Sequence, residues 1–144
     1  MNTTFAHLSS HGEAPFKVTL AITGASGAQY GLRLLQCLLV AKCEVSLMVS
    51  AAAQVVLATE TDLKVPSATA AMQAFFTDLY GASEGQLRVF AKQQWMAPVA
   101  SGSGGGDAMV VCPCSTGSLS AIACGASNNL IAVSYTHLTL PTTN

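Results

Sequence analysis

A strand that runs without a break into a turn of small residues, and from there into a helix, leaves a chain few architectures. Residues 19–31, TLAITGASGAQYG, make such a passage. Apolar Val18, Leu20 and Ile22 suit a buried parallel strand, while Gly24 and Gly27 let the backbone bend and come close to a ligand. Ser26 falls where a helix N-cap is expected, so its hydroxyl and the neighbouring backbone N–H groups can face an anion. The phosphate of a bound nucleotide is the anion this geometry favours.

The rest of the chain repeats the alternation. The pattern predicts strands over residues 17–23, 44–49, 86–91 and 108–112. Helices are predicted over 26–41, 51–59, 68–79 and 115–124. In the first helix Leu34, Leu35, Leu38 and Leu39 recur at helical spacing, and in the third Met72, Phe75, Phe76 and Leu79 share one face. Strands separated by helices imply right-handed crossovers and an open parallel sheet in a three-layer α/β/α sandwich, as in Rossmann-like folds. Ligands of such sheets sit beyond the carboxyl ends of the strands. Small or polar residues stand at each of those ends: Gly24 to Gly27, Ser50, and Pro113-Cys114-Ser115-Thr116. The run Ser101-Gly102-Ser103-Gly104-Gly105-Gly106 belongs to the same rim. Ordinary turns of an α/β domain are the plain alternative. Gly24, Gly27 and Gly31 are spaced G-x-x-G-x-x-x-G, which is not the dinucleotide fingerprint, and Ser50 rather than an acid ends the second strand. A mononucleotide is therefore favoured over a dinucleotide.

Composition narrows the partners. Of 144 residues, 51% are hydrophobic and only 9% charged, against about 25% charged in an average soluble domain. Either much surface is buried against other subunits, or the chain is part of something larger. A net charge of −1 supplies no basic field for nucleic acid. No apolar run reaches the roughly 18 residues of a membrane span. Residues 1–16 lack the basic start and apolar core of a secretory signal and read as a disordered lead. The five cysteines show no CxxC spacing; they read as buried free thiols in a reducing cytoplasm. Zinc is not expected, because His7, His11 and His137 lie at the chain ends.

Several motifs then stand together in one order. They are residues 23–35 (TGASGAQYGLRLL), Val49-Ser50, Glu60-Thr61-Asp62, Trp95-Met96-Ala97-Pro98 with Ala100 to Ser103, residues 109–123, and Asn128-Asn129-Leu130-Ile131. Over about residues 17–131 this resembles the flavin prenyltransferases of the UbiX type. The resemblance implies a flavodoxin-like fold, a homododecamer with sites at subunit junctions, and reduced FMN as a substrate rather than a resident redox group. It implies transfer of a dimethylallyl group from dimethylallyl phosphate to flavin N5 and C6 without a metal. The prenylated FMN would serve a separate decarboxylase of the ubiquinone or aromatic-acid type. By similarity Gly24, Ala25, Ser26, Ser50, Ser101, Gly102, Ser103, Cys114 and Ser115 contact FMN, and Ser26, Glu60 and Trp95 take part in catalysis. Glu60 can relay protons beside the prenyl phosphate, and the Trp95 π face can steady an allylic cation. A water-poor pocket with fixed dipoles suits the departing phosphate. The bland readings are an N-cap for Ser26, an exposed helix-end glutamate for Glu60 and a core or interface anchor for Trp95.

The resemblance lapses after Ile131. Residues 132–144 resemble a translated sequencing adapter and are expected to be non-native, which makes the fold incomplete at its C-terminus. The arginines, lysine, second glutamate and tyrosine that grip phosphate in the family are absent; only Arg33 and Arg88 remain. The chain as written is expected not to turn over. Rival functions are an FMN-dependent cysteine decarboxylase, a non-catalytic FMN-binding subunit and a short-chain dehydrogenase. The first wants a histidine after an early strand, and the last a Tyr-x-x-x-Lys pair; neither is present.

Overall fold

The computed structural model describes residues 14–91 and 106–124. Within them the order is β1 (Lys17–Ile22), α1 (Ala28–Val40), β2 (Glu44–Val49), α2 (Ala51–Glu60), α3 (Thr69–Tyr80), β3 (Leu87–Phe90), β4 (Ala108–Val111) and α4 (Thr116–Ala123). The four strands form one parallel sheet in the order β3-β2-β1-β4. It is the open parallel sheet that the strand–helix alternation predicts, and the flavodoxin-like fold that the resemblance implies. Every expected element exists, with ends displaced by one or two residues.

Period-two alternation explains which way each strand faces. Val18, Leu20 and Ile22 of β1, Val45, Leu47 and Val49 of β2, and Leu87 and Val89 of β3 join one buried cluster with the helices. Ala21 and Met48 point to the other side, against Phe90, Met109 and Val111. The first cluster receives Ala28, Leu32, Leu35 and Leu39 of α1, a stripe at helical spacing. Leu34 and Leu38 only flank that stripe. In α3 the buried pair is Met72 and Phe76. The Phe76 ring stacks on Tyr80 at a centroid distance of 6.0 Å. The buried face therefore runs through Tyr80, and Leu79, expected on it, is exposed.

Chain order makes β1 the switch strand. From β1 the chain steps outward through β2 to β3, then returns to the far side of β1 as β4. Such a reversal opens a crevice between the carboxyl ends of the two strands that flank it. Gly31 allows that crevice to be narrow. A Cβ there would overlap the Cys112 carbonyl oxygen, so only glycine lets α1 lie so close to the end of β4.

Candidate functional site

The β1–α1 turn differs from its expected form in one respect. Ser26 does not cap α1; the N-cap is Gly27, in the left-handed region at φ 97°, and no side chain of its own caps the helix. The cap comes from another element. Glu60, the last residue of α2, accepts from Ser26 Oγ at 2.9 Å through Oε1, and from the N–H groups of Gly27 at 3.1 Å and Ala28 at 3.3 Å through Oε2. The positive end of α1, expected to meet a ligand's anion, already meets a carboxylate of this chain. The Ser26 hydroxyl and the Gly27 amide hold the Glu60 carboxyl below the usual glutamate range. At neutral pH Glu60 is ionised.

At its other end α2 packs on the same turn. Gly24 has no Cβ because Ala52 occupies that space. The missing side chain of Gly24 thus lets α2 start close to the turn. Ser50 caps α2, its Oγ accepting from Ala53 N–H at 3.1 Å. Ser115 caps α4 in the same way, accepting from Ser118 N–H at 3.1 Å, and Ser115 Oγ lies 3.0 Å from Ser118 Oγ. Sequence reasoning placed Ser50 and Ser115 at strand ends, and both do begin helices beside the β1–α1 turn.

Across the crevice the two turns are tied directly. Thr23, the residue after β1, donates from its N–H to the Pro113 carbonyl at 3.2 Å and from Oγ1 to the same oxygen at 2.6 Å. Its Oγ1 accepts in turn from Ser115 N–H at 2.7 Å. In the sequence Thr23 stands only as the end of the first strand and the head of the TGASG motif, with no role of its own. The signal that could have found it is a polar residue ending an otherwise apolar buried strand.

Gly24, Ala25, Ser26, Ser50, Glu60, Cys114 and Ser115 therefore all belong to the turns around one crevice. Trp95, Ser101, Gly102 and Ser103 lie outside the described residues, as do the lead and the tail. All five cysteines are free, but only Cys43 is buried as expected; Cys37 and Cys112 are half-buried, and Cys114 and Cys124 are exposed at the two ends of the short α4 turn-and-helix unit. Among the described residues no group of three or more His, Cys, Asp or Glu side chains could hold a metal ion. Nor is any helix there long and apolar enough to cross a membrane. A cavity of about 170 Å³ opens between β2, β3 and α3, lined by Val49, Gln54, Ser67, Thr69, Met72 and Phe90 among others. It is smaller than the roughly 300 Å³ usual for a small-molecule site.

Comparison with known proteins agrees with this architecture. Residues 7–141 match the Flavoprotein family, a span that continues past Ala132. Over 117 residues the chain is 62% identical to the flavin prenyltransferase UbiX of Pseudomonas aeruginosa, covering 81% of this chain and 56% of that protein. It is 41% identical over 114 residues to the flavin prenyltransferase UbiX of Alkalihalophilus pseudofirmus, covering 79% of this chain and 55% of that protein. The chain thus spans about half the length of the curated relatives it matches. Among solved structures, AnUbiX (PadA1) in complex with FMN and dimethylallyl pyrophosphate superposes with a TM-score of 0.72 at 30% identity, over 87% of this chain and 59% of that one. A dodecameric FMN-dependent UbiX-like decarboxylase from Escherichia coli O157:H7 gives 0.71 at 27% identity, over 85% and 60%. A strand-turn-helix crevice at the switch point of a parallel sheet, matched along nearly the whole chain, places this protein in the flavoprotein family, with flavin prenyltransferases as its sequence relatives.

Proposed function

We propose that this chain carries the flavin-facing rim of a flavin prenyltransferase. The reaction moves a dimethylallyl group from dimethylallyl phosphate to N5 and C6 of reduced FMN, with release of phosphate. The observation that carries the reading is the Ser26–Glu60 hydrogen bond at the β1–α1 turn, beside Ser50 and Ser115. A hydroxyl joined to an ionised carboxylate is a proton path: a proton reaching Ser26 Oγ can pass to Glu60. The residues present fit a flavin mononucleotide, because serine-started helices and a small-residue turn meet at the switch-point crevice.

The remaining roles follow the family pattern. Gly24, Ala25 and Ser26 border the flavin, with Cys114 and Ser115 below it and Ser101, Gly102 and Ser103 enclosing it. Trp95 offers its ring face to the cationic allyl group. A homododecamer would cover much of a surface with so few charges, and a separate decarboxylase would consume the product. The rim described here gives the prenyl phosphate no evident arginine. Arg33 donates to Gln36 Oε1 at 2.7 Å, and Arg88 is an exposed residue of β3. Each missing charge-assisted bond forfeits about 1.5–3 kcal/mol. The 144-residue chain is therefore a flavin binder without turnover.

Fluorescence titration with FMN tests the first part: saturable quenching is expected, and its absence overturns the reading. Anaerobic incubation with reduced FMN and either dimethylallyl phosphate or the diphosphate should leave the flavin spectrum unchanged. A prenylated flavin from either donor would overturn the claim of no turnover.

A further inference from the structure

We infer that Thr23 is a positioning residue, which sets the distance between the two turns of the crevice and thereby holds Ser115 in place for a mononucleotide. The inference rests on the flavin-binding reading above and adds to it a residue that touches no ligand. Thr23 is 1% exposed, at the switch point where β1 parts from β4. Its hydroxyl both donates and accepts within the protein. It donates to the Pro113 carbonyl at 2.6 Å and accepts from the Ser115 amide at 2.7 Å. These two bonds span residues 90 and 92 apart in sequence. Backbone pairing does only part of this work, through the Thr23 N–H on the Pro113 carbonyl. The β1–β4 register ends at Ala21 with Val111, and beyond it come the Cys112 amide on Ala21 and the Thr23 contacts.

The geometry also explains why the residue is a threonine. Its backbone N–H and its Oγ1 both donate to the Pro113 oxygen, leaving the hydroxyl's acceptor side for Ser115. Valine has the same shape but supplies neither a proton nor a lone pair. In Thr23→Val the half-buried Ser115 amide would lose its acceptor and the Pro113 carbonyl would keep only the backbone N–H of residue 23, so the β4–α4 turn would drift from the β1–α1 turn. Serine retains the hydroxyl and both bonds.

The test compares wild-type chain, T23V and T23S for FMN affinity by fluorescence quenching, for Tm, and for hydrogen exchange at the Ser115 amide. T23V should bind FMN about tenfold more weakly, equivalent to ~1.4 kcal/mol, with faster exchange at Ser115. T23S should stay within about threefold of wild type on the same scale, with exchange still slow. A folded T23V that binds FMN as tightly as wild type overturns the inference, as does a T23S as weak as T23V. A purely structural role would lower Tm and leave the affinity of the folded protein unchanged, which also overturns it. Should T23V fail to fold, exchange decides: a Ser115 amide as fast as the exposed Cys114 amide in wild type and T23S overturns the inference, and protection in both supports it. Failure of the wild-type chain to bind FMN would strike the flavin reading instead, leaving the exchange result to judge the tie between the turns.

Discussion

Glu60 is an exposed side chain that nonetheless holds three donors, from Ser26, Gly27 and Ala28. Their combined pull lowers its pKa, so the folded state binds this proton less readily than the unfolded chain does. Its contribution to stability is fully present above the ordinary glutamate range and disappears as pH falls through the lower folded value. A Tm-versus-pH curve for E60Q should therefore lie below wild type at neutral pH and converge on it in acid. A constant offset at every pH would contradict this account. Glu60 could be singled out from its motif, and its link to Ser26 could not, because the two are 34 positions apart in the chain. The same blindness hid Thr23. A residue's chemistry is written in its type, whereas its partner is fixed only by the crossover that folds the two turns together.

At the scale of the element, alternation between period two and period 3.6 was enough to locate the eight helices and strands of the described residues. Their ends depended on finer terms. Ser50 and Ser115 cap their helices as their positions suggest. Ser26 does not, because Gly27 turns left-handed and a carboxylate from α2 takes over the capping. Local propensity sees only the near competitor; a cap arriving from a distant helix leaves no mark in the turn itself. The seating of α1 on the sheet depends on Gly31, where a side chain would strike the Cys112 carbonyl. Gly31→Ala should destabilise the fold by roughly 1–3 kcal/mol, since backbone rather than a flexible side chain must yield. Chemical denaturation would measure it, and a midpoint equal to wild type would refute the close approach.

Over the whole molecule the larger cluster lies on one face of the sheet, where α1, α2 and α3 pack against it, and a smaller one occupies the other face. Among the described residues Phe76 is the largest fully buried side chain, at 0% exposure. Phe76→Ala should cost about 3–5 kcal/mol, a large share of the roughly 5–15 kcal/mol that stabilises an ordinary domain. Circular dichroism should show that variant largely unfolded at 37 °C, and a wild-type melt would contradict the core assignment. Which apolar residues enter this core was legible from periodicity. The exchange of Tyr80 for Leu79 on the α3 face was not, because it depends on where the ring of Phe76 finds a neighbour to stack on.

Helix α2 begins beside Ser50 and ends with Glu60, and its ten residues make it a gauge between two parts of the crevice. A helix advances about 1.5 Å and turns about 100° with each residue. One alanine inserted in its middle would leave Ser50 where it stands and swing the terminal carboxylate around the barrel of the helix, out of reach of Ser26. Residue count is what this segment must keep; its exposed Ala51, Val55 and Ala58 can be exchanged far more freely than its length can be changed.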